Sequence, residues 1–93
     1  VDIRSDIFSL GATIYHAASG VMPFDGETPV AVILKTMQGE PESLKNLRPD
    51  LSDSFIKLIE KMMKKNPSER FQTIDELIEA LEKVEKNENE ENV

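Results

Sequence analysis

The sequence predicts an all-α fold of four helices built around one buried central helix. Residues 5 to 19 are apolar around nearly the whole helix circumference, whereas a surface helix would confine its apolar residues to one stripe. Three later segments have apolar residues at helical spacing, and each has recognisable start and stop signals. No segment alternates apolar and polar residues in the way that a half-buried strand would.

The central helix is predicted at residues 5 to 19. Ser5 and Asp6 are good N-cap residue types, and Gly20 suits the left-handed position after a helix C-terminus. At about 1.5 Å per residue the helix can cross a small domain, but it is too short to span a membrane. Gly11 inside the helix costs about 0.5–1 kcal/mol relative to alanine, so we expect a close helix–helix approach there.

The second helix is predicted at residues 29 to 38. Thr28 is a hydroxyl N-cap, and Pro29 suits the first helical position. Its apolar residues recur at helical spacing and form one face: Val30, Ile33, Leu34 and Met37. Gly39 is the stop, and residues 40 to 51, which hold two prolines among polar neighbours, are predicted to be an irregular connection.

The third and fourth helices are predicted at residues 52 to 65 and 73 to 86. Ser52 can cap the third helix, whose apolar stripe is Phe55, Leu58, Ile59, Met62 and Met63. Thr73 and Glu76 fit a capping box at the start of the fourth helix. Its buried face is predicted to be Ile74, Leu77, Ile78, Leu81 and Val84. Residues 85 to 93 are Glu, Lys and Asn with one terminal valine, so they are predicted to be an acidic, solvated tail.

Composition excludes several classes of function. The formal charge is −7, from 11 basic and 18 acidic side chains, and this balance repels phosphate backbones and anionic membranes. We therefore expect no nucleic-acid partner and no membrane contact, and we set aside a helix-turn-helix interpretation of the segment around residues 66 to 72. Cysteine is absent, so disulfides and thiolate metal sites are excluded, and we expect a cytoplasmic location.

Three short motifs occur in order along the chain. They are Asp6-Ile7-Phe8-Ser9-Leu10-Gly11, Gly20-Val21-Met22-Pro23-Phe24 and Asn66-Pro67-Ser68-Glu69-Arg70-Phe71. They resemble the Asp-x-aromatic-Ser-x-Gly, Gly-x-x-Pro-Phe and Asp-Pro-x-x-Arg-aromatic motifs of the protein kinase large lobe. The chain is most similar to bacterial serine/threonine kinases, over residues 1 to 84, which match only the last third of a kinase domain. The resemblance therefore implies the four-helix, C-terminal subdomain of that lobe.

The resemblance implies structural roles for two charged residues. Asp6, which on its own would be read as an N-cap, matches the carboxylate that accepts backbone N–H bonds from the kinase catalytic loop. That loop is not in this chain, so we expect Asp6 to be solvated, re-paired or only a helix cap. Arg70, otherwise an ordinary surface arginine, matches the arginine that pairs with the glutamate closing the activation segment. That glutamate is also absent here, so we expect a different acidic partner or water.

His16 is the only histidine, and one imidazole cannot form a metal site or a catalytic triad alone. On the residues alone it is predicted to be a partly buried structural histidine. The resemblance makes it a candidate substrate-docking residue, because several basophilic kinases have a glutamate at this position to bind a substrate arginine. Histidine here weakens the inference of that preference.

The motifs that perform phosphoryl transfer are absent from the 93 residues: there is no Gly-x-Gly, no His-Arg-Asp and no Asp-Phe-Gly. We therefore assign no catalytic, cofactor-binding or metal-binding residue, and expect the chain alone to be inactive. The first hypothesis is a fragment of a serine/threonine kinase, which supports the catalytic loop, the activation segment and substrate docking. ATP, Mg²⁺ and the protein substrates would then belong to the parent enzyme, whose upstream segments would be the partners of this chain.

A second hypothesis is a stand-alone helical interaction module derived from a kinase. Without a catalytic loop, one side of the central helix would expose apolar surface, which usually marks a partner or self-association.

Overall fold

Helices make up most of the protein, as the all-α prediction requires. The computed structural model describes residues 2–91, apart from the side chains at positions 38 and 88 to 91. In this range the elements are α1 (Ile3–Ser19), α2 (Pro29–Gln38), α3 (Leu44–Leu47), α4 (Asp53–Met62), a 3₁₀ turn (Pro67–Glu69) and α5 (Ile74–Glu91). No strand is present in residues 2–91. The predicted fold class is confirmed, with one helix more than predicted.

The start of α1 differs from the prediction, because Asp2 and not Ser5 or Asp6 is the N-cap. The Asp2 carboxylate accepts the backbone N–H of Arg4 at 2.9 Å, which satisfies one of the amides that a helix leaves free at its start. The predicted end is confirmed. Gly20 has φ 75°, and its N–H donates to the carbonyl of His16 at 2.8 Å.

The predicted bounds of α2 agree with the structure. The Thr28 hydroxyl accepts the N–H of Ala31 at 3.1 Å, and Pro29 is the first helical residue. At the other end, the N–H of Gly39 donates to the carbonyl of Lys35 at 2.8 Å.

The connection predicted to be irregular contains the short helix α3. The Ser43 hydroxyl caps it by accepting the N–H of Lys45 at 3.2 Å, and Leu44 is 2% exposed. Four residues form too few helical hydrogen bonds to be stable alone. Burial of Leu44 against the core therefore stabilises this turn, and local sequence patterns do not report such burial.

Helix α4 ends earlier than the predicted residue 65. Ser52 caps its start as predicted, by accepting the N–H of Phe55 at 3.3 Å. The ladder of α4 ends after Met62: the N–H of Met63 still donates to the carbonyl of Ile59 at 3.1 Å, whereas the N–H of Lys64 donates to the carbonyl of Lys61, only three residues back, at 3.4 Å. Asn66 then caps the 3₁₀ turn, with its side-chain oxygen accepting the N–H of Ser68 at 3.0 Å.

Helix α5 begins as predicted but extends further. One half of the predicted capping box is present, because the Thr73 hydroxyl accepts the N–H of Glu76 at 3.1 Å. The other half is shifted by one residue: the Glu76 carboxylate accepts the N–H of Gln72 at 3.0 Å, and not the N–H of Thr73. The helix runs to Glu91, through most of the segment predicted to be a tail. Positions 92 and 93 of that segment lie outside the described residues.

The core forms where α1 packs on α4 and α3, and where α4 packs on α3 and α5; α2 takes part in none of these close pairs. Met62 is completely buried at its centre. The buried residues of α1 are Ile7, Gly11 and Tyr15, which share one face at intervals of four. The other apolar residues of α1 include Ile3 and Leu10, which are 40% and 46% exposed. Within this chain α4, which packs on α1, α3 and α5, is therefore the packing centre, and α1 is buried along one face.

Acid pH should weaken the fold through aspartates paired with basic side chains. Asp50 accepts hydrogen bonds from Arg48, with the salt bridge at 2.7 Å, and this lowers the pKa of Asp50 from 3.8 to about 2. Because the pKa of Asp50 is lower in the folded protein than in the unfolded chain, its ionised carboxylate stabilises the fold at pH values above the unfolded-state pKa of 3.8. That stabilisation is lost as the pH falls from 3.8 through about 2. We expect urea midpoints to fall across this interval, and to fall less steeply for Asp50→Asn. Identical profiles for the two proteins would contradict this account of the pair.

Candidate functional site

The guanidinium of Arg70 connects three backbone segments. Its Nε donates to the carbonyl of Lys64 at 2.6 Å, and its Nη2 donates to the carbonyl of Lys65 at 3.1 Å. Its Nη1 donates to the carbonyl of Arg4 in the first turn of α1, also at 3.1 Å. The planar fork of an arginine can reach all three acceptors at once, which a lysine ammonium cannot. Arg70 therefore fastens the C-terminal end of α4 to the N-terminal end of α1.

An aromatic ring supports the same guanidinium. Cζ of Arg70 lies 4.7 Å from the ring centroid of Phe8, a cation–π distance, and Phe8 stacks on Phe24 with centroids 6.2 Å apart. Burial lowers the pKa of Arg70, the nearby charge of Arg4 lowers it further, and the carboxylate of Asp2 opposes the shift. Of the two expected partners of Arg70, an acidic side chain or water, the structure corrects the acidic one: among the described residues, Arg70 forms no salt bridge and donates to backbone carbonyls. Backbone carbonyls and a ring hold it, since the nearby carboxylate of Asp2 is engaged by Arg4.

Arg4 and Gln72 complete this cluster. Nη2 of Arg4 pairs with Oδ2 of Asp2 at 2.8 Å, and Nη1 lies 3.5 Å from the amide oxygen of Gln72. The amide nitrogen of Gln72 donates to the carbonyls of Pro67 and Arg70 at 3.0 and 2.7 Å. Five side chains therefore join the start of α1 to the loop between α4 and α5. We call them the Arg70 cluster: Asp2, Arg4, Phe8, Arg70 and Gln72.

Asp6 lies in the first turn of α1 and is exposed. Since Asp2 is the N-cap, the interpretation of Asp6 as the cap is wrong, whereas the expectation of a solvated side chain agrees with its exposure. Among the residues that the structure describes, none donates a hydrogen bond to the carboxylate of Asp6. Asp6 shares one face of α1 with Ile3 and Leu10, at spacings of three and four residues. This open face of α1 thus places a carboxylate between two exposed apolar side chains.

His16 lies in the last turn of α1, about 15 Å along the helix from Asp6. Its side chain is exposed, so the interpretation of a partly buried structural histidine is wrong. An exposed position is compatible with a docking role, and that role stays a prediction. The structure therefore places Asp6 and Arg70 at the same end of α1 and His16 at the other end.

Tyr15 makes a further long-range polar link of α1. Its buried hydroxyl donates to the carbonyl of Glu42 at 2.6 Å, and burial, followed by the charge of Glu42, raises its pKa. A cavity of about 270 Å³ lies beside this link, lined by carboxylates and by Lys64 and Lys65. Among the described residues, no buried side-chain nitrogen or oxygen lacks a hydrogen bond. No unpaired buried polar group therefore points to a ligand in the cavity.

Sequence reasoning found Arg70 but missed the residues that hold it. Phe8 is the aromatic residue of the first motif, so the motif offered a signal for its importance. No local signal marks the contact between Arg4 and Gln72, because it joins positions 68 residues apart in the chain. Gly11 was correctly expected at a close approach: a Cβ built there would lie 2.8 Å from Cβ of Met62.

The described residues form neither a metal site nor a membrane-spanning helix. No group of three or more His, Asp or Glu side chains there could hold a metal ion. No helix in that part of the chain is both long and apolar enough to cross a bilayer.

Comparison with known proteins connects this geometry to a family. The model of the protein kinase domain family matches residues 1–81. A probable serine/threonine-protein kinase of Clostridium perfringens is 41% identical over 88 residues, which are 95% of this chain and 13% of that protein. The tyrosine-protein kinase MasK of Myxococcus xanthus is 39% identical over 88% of this chain and 13% of its own length. The serine/threonine-protein kinase PrkC of Bacillus subtilis is 35% identical over 80% of this chain and 11% of its own length.

The chain thus spans little more than a tenth of the length of these relatives, and the match covers all three motifs. The chain therefore belongs to the protein kinase domain family, whose model matches residues 1–81, and it resembles the C-terminal section of the large lobe of bacterial serine/threonine kinases.

Proposed function

We propose that this chain acts as the C-terminal helical section of a cytoplasmic kinase that transfers phosphate from ATP to serine or threonine residues of proteins. In that enzyme it would support the catalytic loop and the activation segment and contribute to substrate docking. The chain alone would be catalytically inert. The family match and the names of most of the relatives support this proposal, and the choice of acceptor hydroxyl rests on those names alone.

The open face of α1 carries the proposal. An isolated carboxylate between exposed apolar side chains is poorly suited to a surface that stays in water, since apolar surface of this kind favours burial. It is well suited to a covering segment that brings apolar side chains together with backbone N–H groups, because a buried carboxylate needs hydrogen-bond donors. Ile3, Asp6 and Leu10 would then bind the covering segment, and the Arg70 cluster would hold the start of α1 in place.

The residues that the structure describes do not fit an ATP or Mg²⁺ site. The described part holds no cluster of three acidic or histidine side chains, and its cavity has no unpaired buried polar group. The sequence also contains no glycine-rich phosphate loop. We therefore derive no catalytic step from either group, and assign positioning roles only.

A chimaera tests the proposal. This chain would replace the matching segment of Bacillus subtilis PrkC, and transfer of labelled phosphate from ATP to a protein substrate would be measured. We expect the chimaera to be active, and both the 93-residue chain and PrkC lacking the segment to be inactive. Asp6→Asn in the chimaera should lower kcat about tenfold or more, because a charge-assisted hydrogen bond contributes about 1.5–3 kcal/mol.

Asp75→Asn is the matched control, since Asp75 is also an exposed aspartate in the first turn of a helix. It should leave kcat unchanged. A chimaera that folds, as judged by circular dichroism, but transfers no phosphate would overturn the proposed function. Equal activity of Asp6→Asn and Asp75→Asn would overturn the anchoring role of Asp6 alone.

A further inference from the structure

The cavity beside Tyr15 has an apolar floor. Its volume is about 270 Å³, and it lies where α1, α3 and α4 meet. The lining includes five large apolar side chains, four of them buried and that of Phe24 half-buried: Tyr15, Phe24, Leu44, Ile59 and Met63. The Tyr15 hydroxyl already donates to the carbonyl of Glu42, so the polar end of that ring is engaged. The floor of this space, which we call the Tyr15 cavity, therefore suits an apolar group of a ligand.

The rim of the Tyr15 cavity carries charges of both signs. Carboxylates border it at Glu40 and Glu42, after α2, and at Glu60, in the last turn of α4. Ammonium groups border it at Lys64 and Lys65, after α4, and all five of these residues are exposed. Among the residues that the structure describes, none of the five takes part in a salt bridge. Groups of both charges are therefore free to pair with a ligand at the mouth of the cavity.

Size and charge together narrow the class of ligand. A volume of about 270 Å³ is near the lower end for small-molecule sites, so the cavity suits a ligand of the size of an amino acid and not of a nucleotide. An apolar anion would pair with the lysines but face the carboxylates, and an apolar cation would have the opposite mismatch. A zwitterion with an apolar side chain satisfies both parts of the rim and the floor. Because the rings of Tyr15 and Phe24 line the cavity, an aromatic side chain fits best.

We propose that the Tyr15 cavity is a binding site for a free aromatic α-amino acid. The ring of the amino acid would pack against Tyr15 and Phe24. Its carboxylate would pair with Lys64 and Lys65, and its ammonium group would pair with Glu60 and the carboxylates after α2. The site goes beyond the proposed phosphotransferase role, because it uses neither the open face of α1 nor a side chain of the Arg70 cluster.

Ligand titrations of the 93-residue chain test the site. The probe is L-phenylalanine, and binding is followed by NMR through the chemical shifts of the backbone amides. We expect saturable shifts at the residues that line the cavity. Phenethylamine, which lacks the carboxylate, and phenylpropionate, which lacks the ammonium group, should each bind with a Kd about fivefold higher, since one charged pair is lost. L-alanine should bind about tenfold more weakly or less, since the apolar contact of the ring is lost.

Matched variants locate the site on the protein. Lys64→Gln with Lys65→Gln keeps the carbonyls that Arg70 binds, and should raise Kd for phenylalanine about fivefold. The same double substitution should not raise Kd for phenethylamine, because this ligand has no carboxylate to pair with the lysines. Lys83→Gln with Lys86→Gln is the control, since it makes the same change of charge on exposed side chains of α5, and it should leave Kd for phenylalanine unchanged.

Four outcomes would overturn the inference. The first is the absence of saturation by phenylalanine up to its solubility limit. The second is equal binding of phenylalanine and phenylpropionate, which would show that the rim does not recognise a zwitterion. The third is an equal effect of the two double lysine substitutions, which would show attraction to the whole surface. The fourth is loss of phenylalanine binding in the folded PrkC chimaera, which would show that the rest of the kinase covers the cavity.

Discussion

Replacing Gly11 with valine is expected to lower the free energy of unfolding by about 2–3 kcal/mol. A Cβ at this position would lie 2.8 Å from Cβ of Met62 and 2.9 Å from Cγ of Met63. The Met63 side chain can rotate away, but Cβ of Met62 moves only with the backbone of α4. Valine also gains a few tenths of a kcal/mol in helix propensity over glycine, which offsets only a small part of the overpacking. Urea denaturation of the 93-residue chain measures the effect.

Ala17→Val is the control for Gly11→Val, because it introduces the same side chain at an exposed position of the same helix. It should change stability by less than about 0.5 kcal/mol. Gly11→Ala should fall between the two variants, since it adds only the clashing Cβ. A Gly11→Val protein as stable as Ala17→Val would show that α1 and α4 can separate at this contact without loss, and would contradict the packing argument.

Arg70→Ala is expected to cost about 2–3 kcal/mol, mainly through the hydrogen bonds to the carbonyls of Lys64, Lys65 and Arg4. These carbonyls lie at the end of α4 and the start of α1, so their loss should loosen one end of the helix pair. Arg70→Lys should recover little of the stability. A lysine keeps the charge near the C-terminal end of α4, but it cannot reach three acceptors or stack flat on Phe8.

Lys65→Ala is the control for the Arg70 variants, because it keeps the accepting carbonyl and removes only an exposed side chain. Thermal unfolding should rank the proteins as wild type and Lys65→Ala, then Arg70→Lys, then Arg70→Ala. If Arg70→Lys unfolds at the wild-type temperature, charge alone accounts for the role of Arg70 and the fork geometry is unimportant. In the PrkC chimaera, the same variants would show whether the Arg70 cluster also affects phosphoryl transfer.

Helix ends show how far local sequence predicts the fold. Thr28, Ser52 and Thr73 act as caps in the structure, and Gly20 has the left-handed conformation expected of it. The wrong N-cap at α1 has a simple cause. Asp2 and Asp6 are both suitable residues, and Asp2 is preferred once its side chain also pairs with Arg4.

The candidate site was predictable only in part. Arg70 was identified from a motif, but its partners are carbonyls that become available because α4 stops before Pro67. His16 is predicted to be partly buried, as the default for a single histidine, and the structure exposes it because only one face of α1 is covered by described residues. Burial on a helix depends on which neighbours are present, and the periodicity of one segment does not contain that information.

The sequence by itself determined the all-helical class, the four long helices, most of their caps and the kinase family. These features depend on residues within a few positions of each other, whose hydrogen bonds and spacing a local pattern records. Only the tertiary structure decided the short helix at Leu44, the three-carbonyl contact of Arg70 and the exposure of the apolar residues of α2. Those features depend on contacts between segments that are distant in the chain. They are set by the most favourable packing of the whole chain and not by the preference of any one segment.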